Sequence, residues 1–149
     1  MKAPTREGCE FGVDVSAYQL TIDWPKVAAA GVKFAIVRAD CGASYIDPTF
    51  ERNIVGARSS GLAVGAYHYA RPATGADDVQ REVDHFWRLL EPHYEARDFA
   101  PALDIEEASI QGPALFDWLA EFVELLQEKC GRFAMVYTNP SYLSSKNVL

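Results

Sequence analysis

Two carboxylates, Asp104 and Glu106, stand one residue apart where an apolar run ends, in APALDIEEAS, residues 100–109. In an extended segment such alternate side chains share a face, with Cα atoms about 6.6 Å apart at the usual rise per residue. Two carboxylates this close, partly withdrawn from water, repel each other, so one is driven to a higher pKa and can keep a proton near neutrality. Cleavage of a glycosidic bond by a general acid needs such a proton. The same triplet also fits a capping aspartate followed by solvated Glu106 and Glu107, so other segments must decide. Asp14 in GVDVSAYQ is a third carboxylate on an apolar segment, with Ser16 on the same face, and it is costly there unless paired or used. In AYHYARP, Tyr67 and Tyr69 share one face and His68 takes the other. Aromatic rings beside carboxylates suit a sugar, whose faces are apolar and whose rims are polar. Core filling is the competing use of the tyrosines, and a structural hydrogen bond that of His68.

Five apolar segments that end in polar residues must position these groups: residues 11–17, 33–39, 62–70, 100–106 and 132–139. Each reads as a buried strand. Helical patterns separate them. Asp23 caps WPKVAAA with Pro25 in its first turn, and Asp47 caps PTFERNIVGARSS with Pro48 at the first helical position. Gly31 and Gly61 end those helices. A third runs from about residue 77 to 90 with Val79, Val83, Phe86, Leu89 and Leu90 on one face. The fourth runs from about 113 to 129, with Leu115, Trp118, Leu119, Phe122, Leu125 and Leu126, and Gly131 ends it. Strands alternating with helices require parallel pairing and a sheet covered by helices. The first strand is followed by DVSAYQLTIDW, which lacks the glycine-rich phosphate loop of a nucleotide-binding doubly wound sheet. Polar and aromatic residues gather instead at the C-terminal ends of all five strands, where a (β/α) barrel builds its active site. The expected fold class is therefore α/β, a barrel of which this sequence carries five strands.

Composition narrows the chemistry. At 149 residues, 49% of them apolar, the chain is long enough for one globular domain with a substantial core. Its net charge of −7, with 14 basic residues scattered among 21 acidic ones, speaks against a nucleic-acid partner. No apolar run approaches a membrane span, and MKAPTREGCEFG lacks the apolar core of a signal peptide, so synthesis in the cytoplasm and no membrane partner are expected. Cys9, Cys41 and Cys130 have neither CxxC nor metal-ligand spacing, and His68, His85 and His93 form no cluster. Reduced thiols, no metal and no cofactor are expected.

In order and spacing, GVDVSAYQ, IDWPKVAAAGVKFAIVRA, GASYIDPTFERNIVGARSSGLAVGAYHYARP, PALDIE and VYTNPSYL resemble the glycoside hydrolase family 25 lysozymes, the Chalaropsis-type N-acetylmuramidases, over residues 11–143. The resemblance implies a (β/α)5β3 barrel that hydrolyses the β-1,4 bond between N-acetylmuramic acid and N-acetylglucosamine, with peptidoglycan glycan strands as partner. It implies that Glu106 is the proton donor, Asp104 the other acid of the DxE motif and Asp14 the first-strand carboxylate. Tyr45, Tyr67, Tyr69 and Tyr137 would line the sugar cleft, and Asn139 would touch it. Residues 1–10 would be a tail and 11–149 the catalytic domain. The family's barrel has three more strands, so this chain is expected to be a piece of a longer barrel or to be completed by another chain, with self-association through open sheet edges. Without a leader it would reach the cell wall after phage lysis or cell lysis. A truncated, non-catalytic peptidoglycan-binding module is the alternative. A chitinase-like barrel would share the DxE ending, but residues 100–103 are Ala-Pro-Ala-Leu where such enzymes carry a longer acidic run.

Overall fold

The structure is a computed structural model that describes residues 8–146; most of the expected tail, residues 1–7, and residues 147–149 lie outside the described residues. Six strands form: β1 (Gly12–Val15), β2 (Phe34–Cys41), β3 (Tyr45–Ile46), β4 (Ala63–Tyr69), β5 (Ala102–Ile105) and β6 (Met135–Thr138). All but β3 pair in parallel, in the order β1-β2-β4-β5-β6, and the helices pack against the sheet as the alternating pattern requires. The sheet is part of a barrel. Among the described residues β1 and β6 are its edges.

The helices are α1 (Trp24–Ala29), α2 (Phe50–Ser59), α3 (Asp78–Leu90), α4 (Pro113–Cys130) and α5 (Pro140–Ser145). The carboxylate of Asp23 accepts from the Lys26 amide at 3.2 Å and caps α1 as its position predicts. Gly131, at φ 70°, closes α4 in the left-handed conformation that a side chain would strain. The outer face of the sheet is the core. Ala35, Val37, Val64, Leu103 and Ile105 meet Ile54 of α2, Val83 and Phe86 of α3, and Leu115, Phe122 and Leu126 of α4. Removing the Phe122 ring, which stacks between His68 and Trp118, would cost about 3–5 kcal/mol. Among the described residues no helix is long and apolar enough to cross a membrane.

Two local features depart from the sequence reading. The chain reverses after β2, and β3 pairs antiparallel with it, Cys41 opposite Tyr45. The second departure concerns Asp47. Its helix begins at Phe50, not Pro48, and the carboxylate does not cap it. The side chain is buried instead, accepting from the Thr49 amide (2.9 Å) and hydroxyl (2.7 Å), the Ala17 amide (2.9 Å) and Arg38 Nε (2.9 Å). It ties the turn after β1 to β2 and to the start of α2, and four donors compensate a buried carboxylate better than a cap would.

Candidate active site

Strand alternation sends every second side chain of the sheet to the concave face. Ile36 and Arg38 of β2, Tyr67 and Tyr69 of β4, Ala102, Asp104 and Glu106 on and just after β5, and Tyr137 of β6 line a cleft of about 570 Å³ together with Asp14 and Ser16. Leu103 and Ile105 point the opposite way and are fully buried against the helices, as the alternation requires. Register aligns Tyr69, Asp104 and Tyr137 in one row across three strands, so Asp104 stands between two aromatic positions. The row below it runs Arg38, Tyr67, Ala102 and Met135. Two residues before Ile36 on β2, Phe34 packs on Phe99 at 5.2 Å between ring centroids. Gly65 makes room for Phe99, since a Cβ there would meet Ile36 at 2.8 Å and Phe99 at 2.9 Å.

The electrostatics separate the two acids of the DxE motif. Asp104 is half-buried and Glu106 exposed at the mouth. Burial, with the charges of Glu106 and Asp14 added, pushes the Asp104 carboxyl up to about 6. Its Oδ1 is buried and has no hydrogen-bond partner. A carboxylate with an unfilled acceptor in a concave site is an unmet demand that a ligand can satisfy. Burial also pushes the Tyr67 hydroxyl well above its ordinary range, with the charges of Asp104 and Asp14 adding to the effect and Arg38 opposing it.

Tyr45 lies on β3 beside the cleft, its ring 5.7 Å from the Arg38 guanidinium. Tyr18, on the turn Ala17–Gln19, faces the same guanidinium at 5.3 Å. Ser16 holds that turn: its amide donates to Gln19 Oε1 (2.7 Å) and its hydroxyl accepts from the Tyr18 amide (3.3 Å). Arg38 and Tyr18 were not singled out by the sequence, although the alternation of KFAIVRA already puts Arg38 on the face of Ile36. Burial opposes the charge of Asp47, but its hydrogen bonds outweigh burial and hold the carboxyl below the usual carboxylate range, keeping Arg38 fixed.

Asn139 is placed elsewhere. Its Oδ1 accepts from the Ser141 amide (2.9 Å) and hydroxyl (2.5 Å), the contacts of a residue capping α5, and it does not line the cleft. His68 is turned away too. Completely buried beneath the sheet, it lies 2.7 Å from both Asp40 Oδ1 and Glu82 Oε2. Burial works against its charge, but the two carboxylates outweigh burial and raise its pKa to about 9. This is a structural histidine. A bulge between Arg38 and Asp40 in the pairing of β2 with β4 brings Asp40 opposite His68, where strict alternation would have sent it into the cleft.

The family model for glycosyl hydrolases family 25 matches residues 13–149. The chain belongs to that family. Family 25 likeness extends to the N,O-diacetylmuramidase of Arthroderma benhamiae, 28% identical over 95% of this chain and 62% of that protein. The YegX protein of Escherichia coli K12 is 31% identical over 85% of this chain and 47% of that protein. Among solved structures, a muramidase from Trichobolus zukalii superposes with a TM-score of 0.83 at 27% identity, covering 93% of this chain and 70% of that one. The family 25 chain thus spans about half to two thirds of the length of these curated relatives.

Proposed function

We propose that this chain hydrolyses the β-1,4 bond between N-acetylmuramic acid and N-acetylglucosamine in bacterial peptidoglycan. The observation that carries the reading is Asp104, with its buried, unpartnered oxygen, set between Tyr69 and Tyr137 in a cleft that also holds Glu106 and Asp14. Membership of family 25 and the muramidases among the relatives support that substrate class.

In this mechanism Glu106, at the mouth, gives its proton to the glycosidic oxygen while the C1–O bond breaks and its electron pair goes to that oxygen. The carbonyl oxygen of the muramic acid's own N-acetyl group attacks C1 from the opposite face, and ionised Asp104 accepts the acetamide N–H through its free oxygen. Water then opens the cyclic intermediate and returns a proton to Glu106. Tyr67, Tyr69 and Tyr137 supply stacking surface, and Tyr45 extends it beyond Arg38. A direct role for Asp104 or Asp14 as nucleophile or base is the competing assignment.

The raised pKa of Asp104 favours a second reading, in which Asp104 itself is the proton donor. The two differ in sign. If Asp104 works ionised, kcat/KM on a soluble glycan rises with pH through about 6; if it is the acid, kcat/KM falls through the same range. The reaction itself is tested by digesting peptidoglycan, reducing the products with borohydride and identifying the reduced ends. Muramitol is expected. Glucosaminitol would mean cleavage of the other bond, and sedimentation with walls without new reducing ends would make the chain a binding module. Action on the wall after release from a lysing cell, and self-association through the β6 edge, where Phe133, Val136 and Tyr137 are exposed, belong to the same proposal.

A further inference from the structure

Beside the cleft lies a second concavity of about 700 Å³, between the turn that joins β2 to β3 and the segment after β4. Tyr18 and Arg38 line both, so the two hollows run into each other. Of the residues that line this concavity and not the cleft, only Tyr45 enters the hydrolysis described above. The charge it shows to solvent is opposite to that of the chain as a whole. Asp78 and Glu82 reach its wall, but both are buried and already engaged with interior donors. Asp78 accepts from Trp118 Nε1 (3.0 Å) and the Ala73 amide (2.9 Å), and Glu82 from the Arg71 amide (3.1 Å) while pairing with His68 (2.7 Å).

What remains available is guanidinium. The Arg71 side chain is 54% exposed, and the carboxylate nearest it, Glu107, is about equally exposed at 3.3 Å. Such a link is weak and readily exchanged for a better one. The Tyr69 ring, 5.9 Å from the guanidinium, braces it from the cleft side. Arg38, held by Asp47, is a fixed second cation on the shared wall.

We propose that this groove takes the peptide stem carried by muramic acid, with Arg71 pairing with a stem carboxylate. The inference rests on the muramidase reading for the identity of the polymer. The sugar rings of a glycan strand are neutral, and the lactyl carboxyl of a substituted muramic acid is consumed in an amide bond, so the strand's remaining carboxylates lie on the stem. A groove of this size, opening sideways from the cleft that takes the neutral sugars and offering a planar fork of donors, matches a short acidic branch. The stem leaves the cleft past Tyr18 and Arg38.

The test is titration of the full chain with N-acetylmuramoyl-L-alanyl-D-isoglutamine, with N-acetylmuramic acid and with N,N′-diacetylchitobiose, alongside Arg71→Gln and Ala43→Asp. Ala43 is exposed in the turn between β2 and β3 that lines the groove, so a carboxylate there repels the stem without touching the core. Both variants should bind the muramoyl dipeptide about tenfold more weakly and the chitobiose and N-acetylmuramic acid as the parent does. Failure of the parent to bind the dipeptide, equal dipeptide affinity in parent and variants, or an equal loss for N-acetylmuramic acid would overturn the stem assignment. Reducing-sugar release, measured on the same samples, separates the two ideas. Release with no Arg71 dependence in binding leaves hydrolysis standing and removes the groove, whereas Arg71-dependent binding without release does the reverse.

Discussion

Two acidic clusters lie on opposite faces of the same sheet, and they have been treated in opposite ways. On the covered face, Asp40 and Glu82 hold His68 between them at 2.7 Å each, with Phe86 and Phe122 against the ring. On the concave face Asp14, Asp104 and Glu106 share a cleft, and Asp104 keeps an oxygen with nothing to bind. The first cluster supplies its own counter-charge and joins β2, β4 and α3. The second leaves its counter-charge to be supplied. Clustered acid by itself does not mark a catalytic site, and neither does an unpartnered oxygen, since Asp40 Oδ2 is as unpartnered as Asp104 Oδ1; the discriminating property is whether the fold supplies the counter-charge, as His68 does for Asp40 and Glu82.

The comparison breaks most visibly at His68. His68→Leu leaves two buried carboxylates facing an apolar group, so a loss of about 3–5 kcal/mol in denaturant unfolding is expected. Adding Asp40→Asn and Glu82→Gln should recover part of it, and a loss below about 1 kcal/mol would show that the pairing is not structural. The sign with pH follows from a folded pKa raised to about 9. The stabilisation from His68 is complete below its unfolded value near 6.5 and is lost as pH rises from there through 9.

Asp104 should behave in the reverse sense. Its folded pKa near 6 lies above the unfolded value near 4, so its burdened, ionised form costs stability that is absent at pH 4 and develops as pH rises through 6. Asp104→Asn should therefore stabilise the chain at pH 7 by about 1–2 kcal/mol, a range already discounted for the solvent screening of a half-buried group, while impairing hydrolysis. Equal melting temperatures for parent and variant at pH 4 and a higher one for the variant at pH 7 would show it; destabilisation at both pH values would remove the idea of an unsatisfied site.

The smallest effect sharpens the boundary of the cleft. Asn139→Ala should cost about 0.5–1 kcal/mol through the lost cap of α5 and leave KM unchanged. A raised KM with unchanged stability would return Asn139 to the substrate.

The parallel strands and their helices were legible because β-branched runs, the capping Asp23 and terminal glycines are local signals, and the shared face of Asp104 and Glu106, and of Tyr67 and Tyr69, followed from period-two alternation on those strands. What escaped was non-local. The partners of His68 lie 28 and 14 residues away, and the bulge at Ala39 overturns the alternation that would have placed Asp40 in the cleft. Asp47 before Pro48 looks like a cap in one dimension. It becomes a clasp once Ala17 and Arg38, 30 and 9 residues away, arrive beside it. Asn139 before Pro140 is a local cap of α5, whereas the cleft contact was implied by the family resemblance alone.

The central claim, that the unpaired carboxylates of the concave face do chemistry, is tested most directly by reducing-sugar release from purified peptidoglycan. The parent chain and Glu106→Gln should be measured together, with thermal unfolding recorded on both. Release by the parent, a drop of about 100-fold or more in the variant and matched unfolding curves are predicted. Equal release by two equally folded proteins would contradict the assignment of Glu106.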